Sequence, residues 1–275
     1  MELTKGKIIK INKDIYTIKT INSVFPCSVR GKIKDNLVVG DNVNIDIISS
    51  TIEEILPRKN SLIRPKVANI DKLIIVISAK KPDFSSYLLD KFLCLSEVNN
   101  IIPIIVITKI DLLSTKEYKN IKKIIKYYKT LGYKVFPNTK INKIKHEFMY
   151  SVVSLTGQTG AGKSTLLNRI DKNLNLATDE ISEALGRGKH TTRIVTLHEI
   201  CNGLVADTPG FSSLELNLTK NQIKDSFIEF KYNCKYSSCM HIKEEECDVK
   251  RRVKENKILS SRYNNYIKLI QEVEK

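Results

Sequence analysis

The chain has 275 residues, 41% of them hydrophobic, with a formal net charge of +16 and a sequence pI of about 9.4. That apolar content excludes a disordered chain, and the length suits two or three small domains better than one large core. The charge predicts attraction to polyanions, meaning nucleic acid or an anionic membrane, with a generally lysine-rich surface as the plainer account of it.

The longest apolar runs, such as Ile101–Ile107, are strand-sized and carry a proline, so none predicts a membrane span. The first residues, Met1-Glu2-Leu3-Thr4-Lys5, lack the apolar centre of a signal peptide. The expectation is a cytoplasmic protein that meets RNA and no membrane. Its six cysteines are then reduced, and a cluster among them reads as metal ligands before disulfides.

In chain order, residues 1–65 carry short alternating stretches, Lys7–Ile11 and Asn42–Ile47. Turn signals at Asn12-Lys13-Asp14, Gly31, Asp35-Asn36 and Gly40-Asp41 separate them. The pattern predicts a small antiparallel β-barrel, followed by a linker from Pro57-Arg58 to Arg64-Pro65. From Lys72 the pattern changes: Leu73–Ile77 is continuously apolar, as a strand buried on both faces of a parallel sheet requires. An amphipathic segment at Ser85–Asn99 follows, then a buried strand at Ile104–Ile107 and a lysine-rich helix at Lys116–Thr130. Further strands are predicted near Val135 and at Val152–Leu155. This alternation predicts an α/β domain over residues 66–212. Residues 213–275 read as mainly helical, interrupted by a Cys/His cluster and closed by a basic amphipathic helix from about Val249.

Residues 157–164, GQTGAGKS, match the phosphate-loop pattern and stand between a predicted strand and a predicted helix at Ser164–Ile170. Glycines let backbone N–H groups turn toward phosphate oxygens. Lys163 would bridge the β- and γ-phosphates, and the Ser164 hydroxyl would hold Mg²⁺. Gly157, Gln158, Thr159, Gly160, Ala161, Gly162 and Thr165 complete the candidate cradle.

Residues 108–111 read TKID after an apolar strand. A carboxylate there can accept two hydrogen bonds from the guanine N1–H and exocyclic amine, a donor pair adenine lacks. Asp111 is therefore the candidate base selector, and the Lys109 stem can pack on the purine face. Thr108, where asparagine is commoner, can still tie the base loop to the phosphate loop by a hydrogen bond. An ordinary strand-to-helix turn capped by aspartate is the alternative, weakened by the phosphate loop in the same chain. Residues 207–210 read DTPG after the apolar Gly203–Ala206. There Asp207 would hold Mg²⁺ through water, and the Gly210 N–H would sense the γ-phosphate.

The order of these motifs is permuted: the base-reading motif precedes the phosphate loop, and DTPG comes last. The switch segments then lead directly into the C-terminal region, where loss of the γ-phosphate can move it. Between the two phosphate motifs, GRGKHTTR at 186–193 offers Thr191 or Thr192 to Mg²⁺, with Thr192 slightly favoured. Phe211 occupies the place after DxxG where other GTPases carry a water-orienting glutamine. His190 is the nearest candidate for that catalytic task, with an exposed phosphate- or RNA-contacting histidine as the equal alternative.

Cys234, Cys239, His241 and Cys247 are spaced C-x₄-C-x-H-x₅-C. Three thiolates and one imidazole fill a tetrahedral Zn²⁺ and leave no position for water, which predicts one structural zinc. Cys27, Cys94 and Cys201 are scattered and read as core or surface thiols.

Together these motifs closely resemble the ribosome-small-subunit-dependent GTPase A family of circularly permuted bacterial GTPases. The resemblance spans Leu56-Pro57-Arg58, Arg64-Pro65, Ala68-Asn69-Ile70-Asp71, TKID, GQTGAGKST, ISEALGRGKHTTR at 181–193, DTPGF and the Cys₃His cluster. It implies a multidomain α/β protein: an OB-fold at 1–65, a permuted G domain at 66–212 and a zinc-binding helical domain at 213–275. It further implies GTP and GDP as ligands, slow hydrolysis stimulated by the small ribosomal subunit, a role in late maturation of that subunit, rRNA contacts and a monomeric state. The family's switch histidine maps onto His190. Near the guanine loop the family carries a Ser-Ser pair where this chain has Phe136-Pro137-Asn138-Thr139. The competing function is a nucleotide-gated RNA-binding scaffold in which hydrolysis is incidental. An ATPase or kinase conflicts with Asp111.

Overall fold

The computed structural model describes residues 3–29, 36–62, 66–172, 195–207, 218–231 and 234–274. The strands are β1 (Leu3–Asn12), β2 (Ile15–Lys19), β3 (Val24–Val29), β4 (Asn42–Asp46), β5 (Thr51–Ile55), β6 (Ser61–Leu62), β7 (Val67–Ala68), β8 (Lys72–Ser78), β9 (Ile102–Thr108), β10 (Lys134–Pro137), β11 (Val152–Gly157), β12 (Thr196–Ile200) and β13 (Gly203–Asp207). The helices are α1 (Ser86–Val98), α2 (Thr115–Thr130), α3 (Ile141–Phe148), α4 (Lys163–Ile170), α5 (Lys220–Ser226), α6 (Asp248–Lys254) and α7 (Ser260–Glu272). The described residues form two compact units, one within Met1–Ile74, Lys140–Leu155 and Gly162–Ser213, the other within Ile75–Thr139, Thr156–Ala161 and Leu214–Lys275.

In the first unit, alternation drives a closed barrel. Every second side chain of β1, β2 and β4 turns inward, giving a core of Ile8, Tyr16, Ile18, Cys27, Val43, Ile45 and Ile52. Antiparallel pairs join β1 to β2, β2 to β3, β4 to β5 and β1 to β4; β3 and β5 run parallel. Lys13, at φ 52°, makes the tight turn from β1 to β2. A bulge between Ile8 and Lys10 bends β1, so that its first half pairs with β4 and Lys10 faces Thr196 of β12.

The described part of the stretch read as a linker, 57–62, is folded onto this barrel. The fully buried Asp41 needs a cation, and Arg58 supplies a fork: Nε to Oδ1 at 2.5 Å and Nη2 to Oδ2 at 2.8 Å. β6 and β7 then pair, and Val67 bridges to Val39. The Asn69 amide donates to the Gly40 carbonyl at 3.0 Å and its oxygen accepts from the Lys59 N–H at 3.0 Å. Asp71 binds the Val152 N–H at 2.6 Å, so the Ala68–Asp71 stretch ties the barrel to β11. β11 and β13 run parallel, while β12 and β13 form a hairpin through Cys201 and Asn202, both at positive φ. The strand β12 and the helix α3 have no counterpart in the sequence reading. In α3 the buried apolar side chains are Ile144 and Phe148, too few to stand out among lysines.

In the second unit, β9 and β10 are parallel and in register from Lys134 against Ile104 to Pro137 against Ile107. Ser85 caps α1, and a capping box of Ser114 and Glu117 starts α2. Helices α5 and α7 pack on α1 through Cys94, Ile223, Phe227, Tyr266, Leu269 and Ile270. The single basic helix expected from about Val249 is two helices. Asn256 turns at φ 57°, the Lys257 N–H closes on the Arg252 carbonyl at 2.9 Å, and the chain bends because Ile258 is buried in this core. Among the described residues, no helix is long and apolar enough to cross a membrane.

Gly40 sits at φ +92°, and a Cβ there would lie 2.1 Å from the Ala68 carbonyl oxygen. Gly40→Ala is expected to destabilise the protein by more than about 1 kcal/mol, read as a lower urea midpoint at unchanged m-value.

Candidate nucleotide site and metal centre

The phosphate loop leaves β11 through three glycines at positive φ: Gly157 at 140°, Gly160 at 75° and Gly162 at 89°. At Gly157 a Cβ would fall 1.9 Å from the Val76 carbonyl oxygen, so glycine is required there for close strand approach. The Ala161 N–H closes on the Gln158 carbonyl at 3.1 Å, and α4 starts immediately after Gly162. Ser164 is buried and Thr165 exposed in its first turn. Burial pushes the Lys163 ammonium pKa down, a cost that a contacting polyphosphate would offset.

The candidate base-reading residues Thr108, Lys109 and Asp111 lie at and just after the end of β9. Thr108 is buried, and its hydroxyl donates to the Ala161 carbonyl at 2.7 Å. Lys109 adopts φ 55°; its ammonium donates to the Gly160 carbonyl at 2.8 Å and to the Lys81 carbonyl. Asp111 lies on the one-turn helix Ile110–Leu112, with its carboxylate exposed. The structure thus brings Thr108 and Lys109 onto the phosphate loop at Gly160 and Ala161. Asn138 and Thr139 follow β10 beside the end of β9, and the Asn138 N–H is taken by the Ile107 carbonyl at 2.9 Å.

One contributor was not singled out from the sequence: the segment between β8 and α1. Lys81 accepts from Lys109, Asp83 accepts through its carbonyl from Gln158 Nε2 at 3.3 Å, and Lys80 grips both carboxylate oxygens of Glu117 at 2.9 and 3.0 Å. Lys80 and the Ser114 backbone hold the Glu117 carboxyl down at about 2. The available signal was the Pro82-Asp83 turn directly after a buried strand. Asp207 ends β13. Its side chain, and Gly210, Phe211, His190, Thr191 and Thr192, lie outside the described residues.

The four residues of the Cys/His cluster converge. Their donor atoms all lie within 4.8 Å of one another. His241 Nδ1 is 3.5 Å from Cys234 Sγ and 3.3 Å from both Cys239 Sγ and Cys247 Sγ; Cys234 and Cys247 are 3.9 Å apart. A tetrahedral Zn²⁺ with Zn–S of about 2.3 Å and Zn–N of about 2.0 Å demands edges of about 3.8 Å between sulfurs and about 3.5 Å from sulfur to nitrogen. The donor set fits. His241 turns at φ 59°, Glu244 accepts the Met240 and Ile242 N–H groups at 2.8 and 2.9 Å, and Tyr263 holds the His241 carbonyl at 2.7 Å. Burial pushes the Cys239 thiol up to about 12 and the His241 imidazole down, so the ring is neutral and metal binding must displace thiol protons. Cys27, Cys94 and Cys201 lie apart from the cluster.

The model of the RsgA GTPase family matches residues 55–217, more than half the chain. This chain belongs to the RsgA GTPase family. Family membership makes it a hydrolase of GTP with guanine nucleotide as its ligand. The chain is 45% identical over 274 residues to the small ribosomal subunit biogenesis GTPase RsgA of Malacoplasma penetrans, covering 95% of each. It is 43% identical over 285 residues to the protein of that name from Latilactobacillus sakei, covering 98% of this chain and 95% of the relative. Two solved structures share its architecture: YjeQ from Thermotoga maritima (TM-score 0.85, 32% identity, 98% of both chains) and YloQ, a circularly permuted GTPase (TM-score 0.83, 33% identity, 99% and 96%). The permuted motif order read from the sequence is therefore that of the family.

A strong chelator is expected to remove one metal ion per chain and lower the thermal midpoint. Cys247→Ala should lose the metal without chelator, as measured by elemental analysis of the purified protein.

Proposed function

We propose that this chain is a GTPase stimulated by the small ribosomal subunit, and that it acts in late maturation of that subunit while bound to its rRNA. The observation that carries the nucleotide site is the Thr108–Ala161 hydrogen bond, with Lys109 on Gly160 beside it. It joins a base-reading loop to a phosphate loop that comes later in the chain. The names of the relatives, the charge of +16 and the chain's coverage of them support the ribosomal partner.

In this reading Asp111 selects guanine and Lys109 packs on the base. Residues Gly157 to Thr165 cradle the phosphates, with Lys163 on the β- and γ-phosphates. Ser164, Thr192 and Asp207 would hold Mg²⁺, which neutralises phosphate charge when bound. Gly210 senses the γ-phosphate, and His190 positions the attacking water. Residues 1–65 are an OB-fold, supported by the closed five-stranded barrel with its parallel β3–β5 pair. Residues 66–212 form the permuted G domain. Residues 213–275 form a zinc domain in which Cys234, Cys239, His241 and Cys247 hold one structural Zn²⁺. The protein works in the cytoplasm as a monomer away from membranes. The scaffold alternative, with hydrolysis incidental, conflicts with the family's enzymatic character.

Asp111→Asn replaces an acceptor pair by an acceptor and a donor, which mismatches guanine and suits xanthine. The variant is expected to lose at least tenfold, about 1.4 kcal/mol or more, in GDP affinity and to gain XDP affinity, read by competition against a fluorescent nucleotide. Adding purified small subunits should raise GTP turnover strongly, and His190→Ala should abolish that rise while leaving GDP binding intact. Unchanged turnover on adding subunits would remove the ribosomal assignment.

A further inference from the structure

The segment from Ala79 to Ser85 touches the loop after β9, the start of α2 and the glycine-rich loop, and belongs to none of the nucleotide motifs. Its carbonyls at Lys81 and Asp83 receive Lys109 and Gln158, and Lys80 holds Glu117 in the first turn of α2. A Cβ on Gly160 would lie 3.7 Å from Pro82 Cδ. One loop thus braces the base-reading segment on both sides and flanks the phosphate loop.

Its far end is held by the C-terminal helix. The Asn265 amide of α7 donates to Ser86 Oγ, at the first residue of α1, at 3.1 Å and to Asp90 Oδ2 at 2.7 Å. Arg262 donates to Asp90 Oδ1 at 2.6 Å and to Glu229 at 2.5 and 3.1 Å, and the Tyr128 hydroxyl donates to Asp90 at 2.5 Å. Asp90, Arg262 and Asn265 are 0, 1 and 6% exposed. Adhesion of α7 to α1 does not require this network, because the apolar core around Phe227, Tyr266 and Leu269 already supplies it. Burying the charges of Asp90, Glu229 and Arg262 is costly, and what a satisfied polar network adds is one fixed register.

We propose that Asn265 and Arg262 are positioning residues of the nucleotide site: by fixing the first turns of α1 they hold the loop Ala79–Ser85, and through it Lys109 and the phosphate loop, in the geometry that binds guanine nucleotide. The C-terminal region then sets nucleotide affinity by side-chain contact, separately from the switch segment that precedes it in the chain. This inference rests on the nucleotide site proposed above.

The test is equilibrium binding of a fluorescent GDP analogue to the full chain, with the thermal midpoint of each variant measured in parallel. Ser86→Ala removes the hydroxyl at a half-buried helix start, where little stability is at stake. It is expected to weaken GDP binding about three- to tenfold at nearly unchanged midpoint, as loss of one hydrogen bond would. Ser86→Thr should restore affinity. Asn265→Ala should weaken binding at least as much, and the double variant Ser86→Ala, Asn265→Ala should be no worse than Asn265→Ala alone. Variants that bind GDP like the wild type overturn this proposal alone, as does a loss of affinity that only follows a fall in midpoint. A wild-type chain that binds no GDP overturns the nucleotide site itself.

Discussion

A single hydroxyl-to-carbonyl bond, Thr108 to Ala161 across 53 positions of sequence, is the constraint that joins the two candidate nucleotide loops. It is buried, so water does not compete for either partner. It binds the turn after one parallel strand to the turn after another. Chain order is irrelevant to such a bond, because the strands β9 and β11 deliver both turns at their carboxyl ends. A permuted order of motifs therefore still brings these two loops together, and threonine makes the bond where asparagine is commoner.

Two buried carboxylates play a comparable part elsewhere. Asp41 in the first unit and Asp90 in the second are wholly inaccessible, and each is answered by an arginine from a later segment. An uncompensated charge in such surroundings is strongly unfavourable, so each pair admits one register of its two segments. Arg58 converts a stretch that reads as a connection into part of the barrel wall. Arg262 fixes α7 against α1 through Asp90, with the Phe227 ring centroid 4.6 Å from its guanidinium.

The Cys/His cluster faces a different problem. Residues 234–247 contain few large apolar side chains, and what draws the stretch together is the convergence of its four Cys and His donors. The cluster lies against Phe230, whose ring meets the His241 imidazole edge-on, and it opens directly into α6 at Cys247.

The amino-acid sequence by itself determined the strands at Leu73–Ile77 and Ile104–Ile107, the glycine-rich loop at 157–164, the permuted order of motifs and the four residues of the Cys/His cluster. Each of these is a local pattern, an apolar period or a fixed spacing, and local patterns survive without knowledge of neighbours. The two-helix break at Asn256, the short helix α3 and the strand β12 were decided by tertiary packing. Ile258 turns the chain because a core awaits it, and α3 presents just two fully buried apolar side chains, Ile144 and Phe148, to its surroundings. The loop Ala79–Ser85 is the clearest case. Its contacts to Lys109 and Gln158 run through backbone carbonyls, which every residue carries, so the Pro82-Asp83 turn announces a loop there but only the folded arrangement of strands shows what it touches.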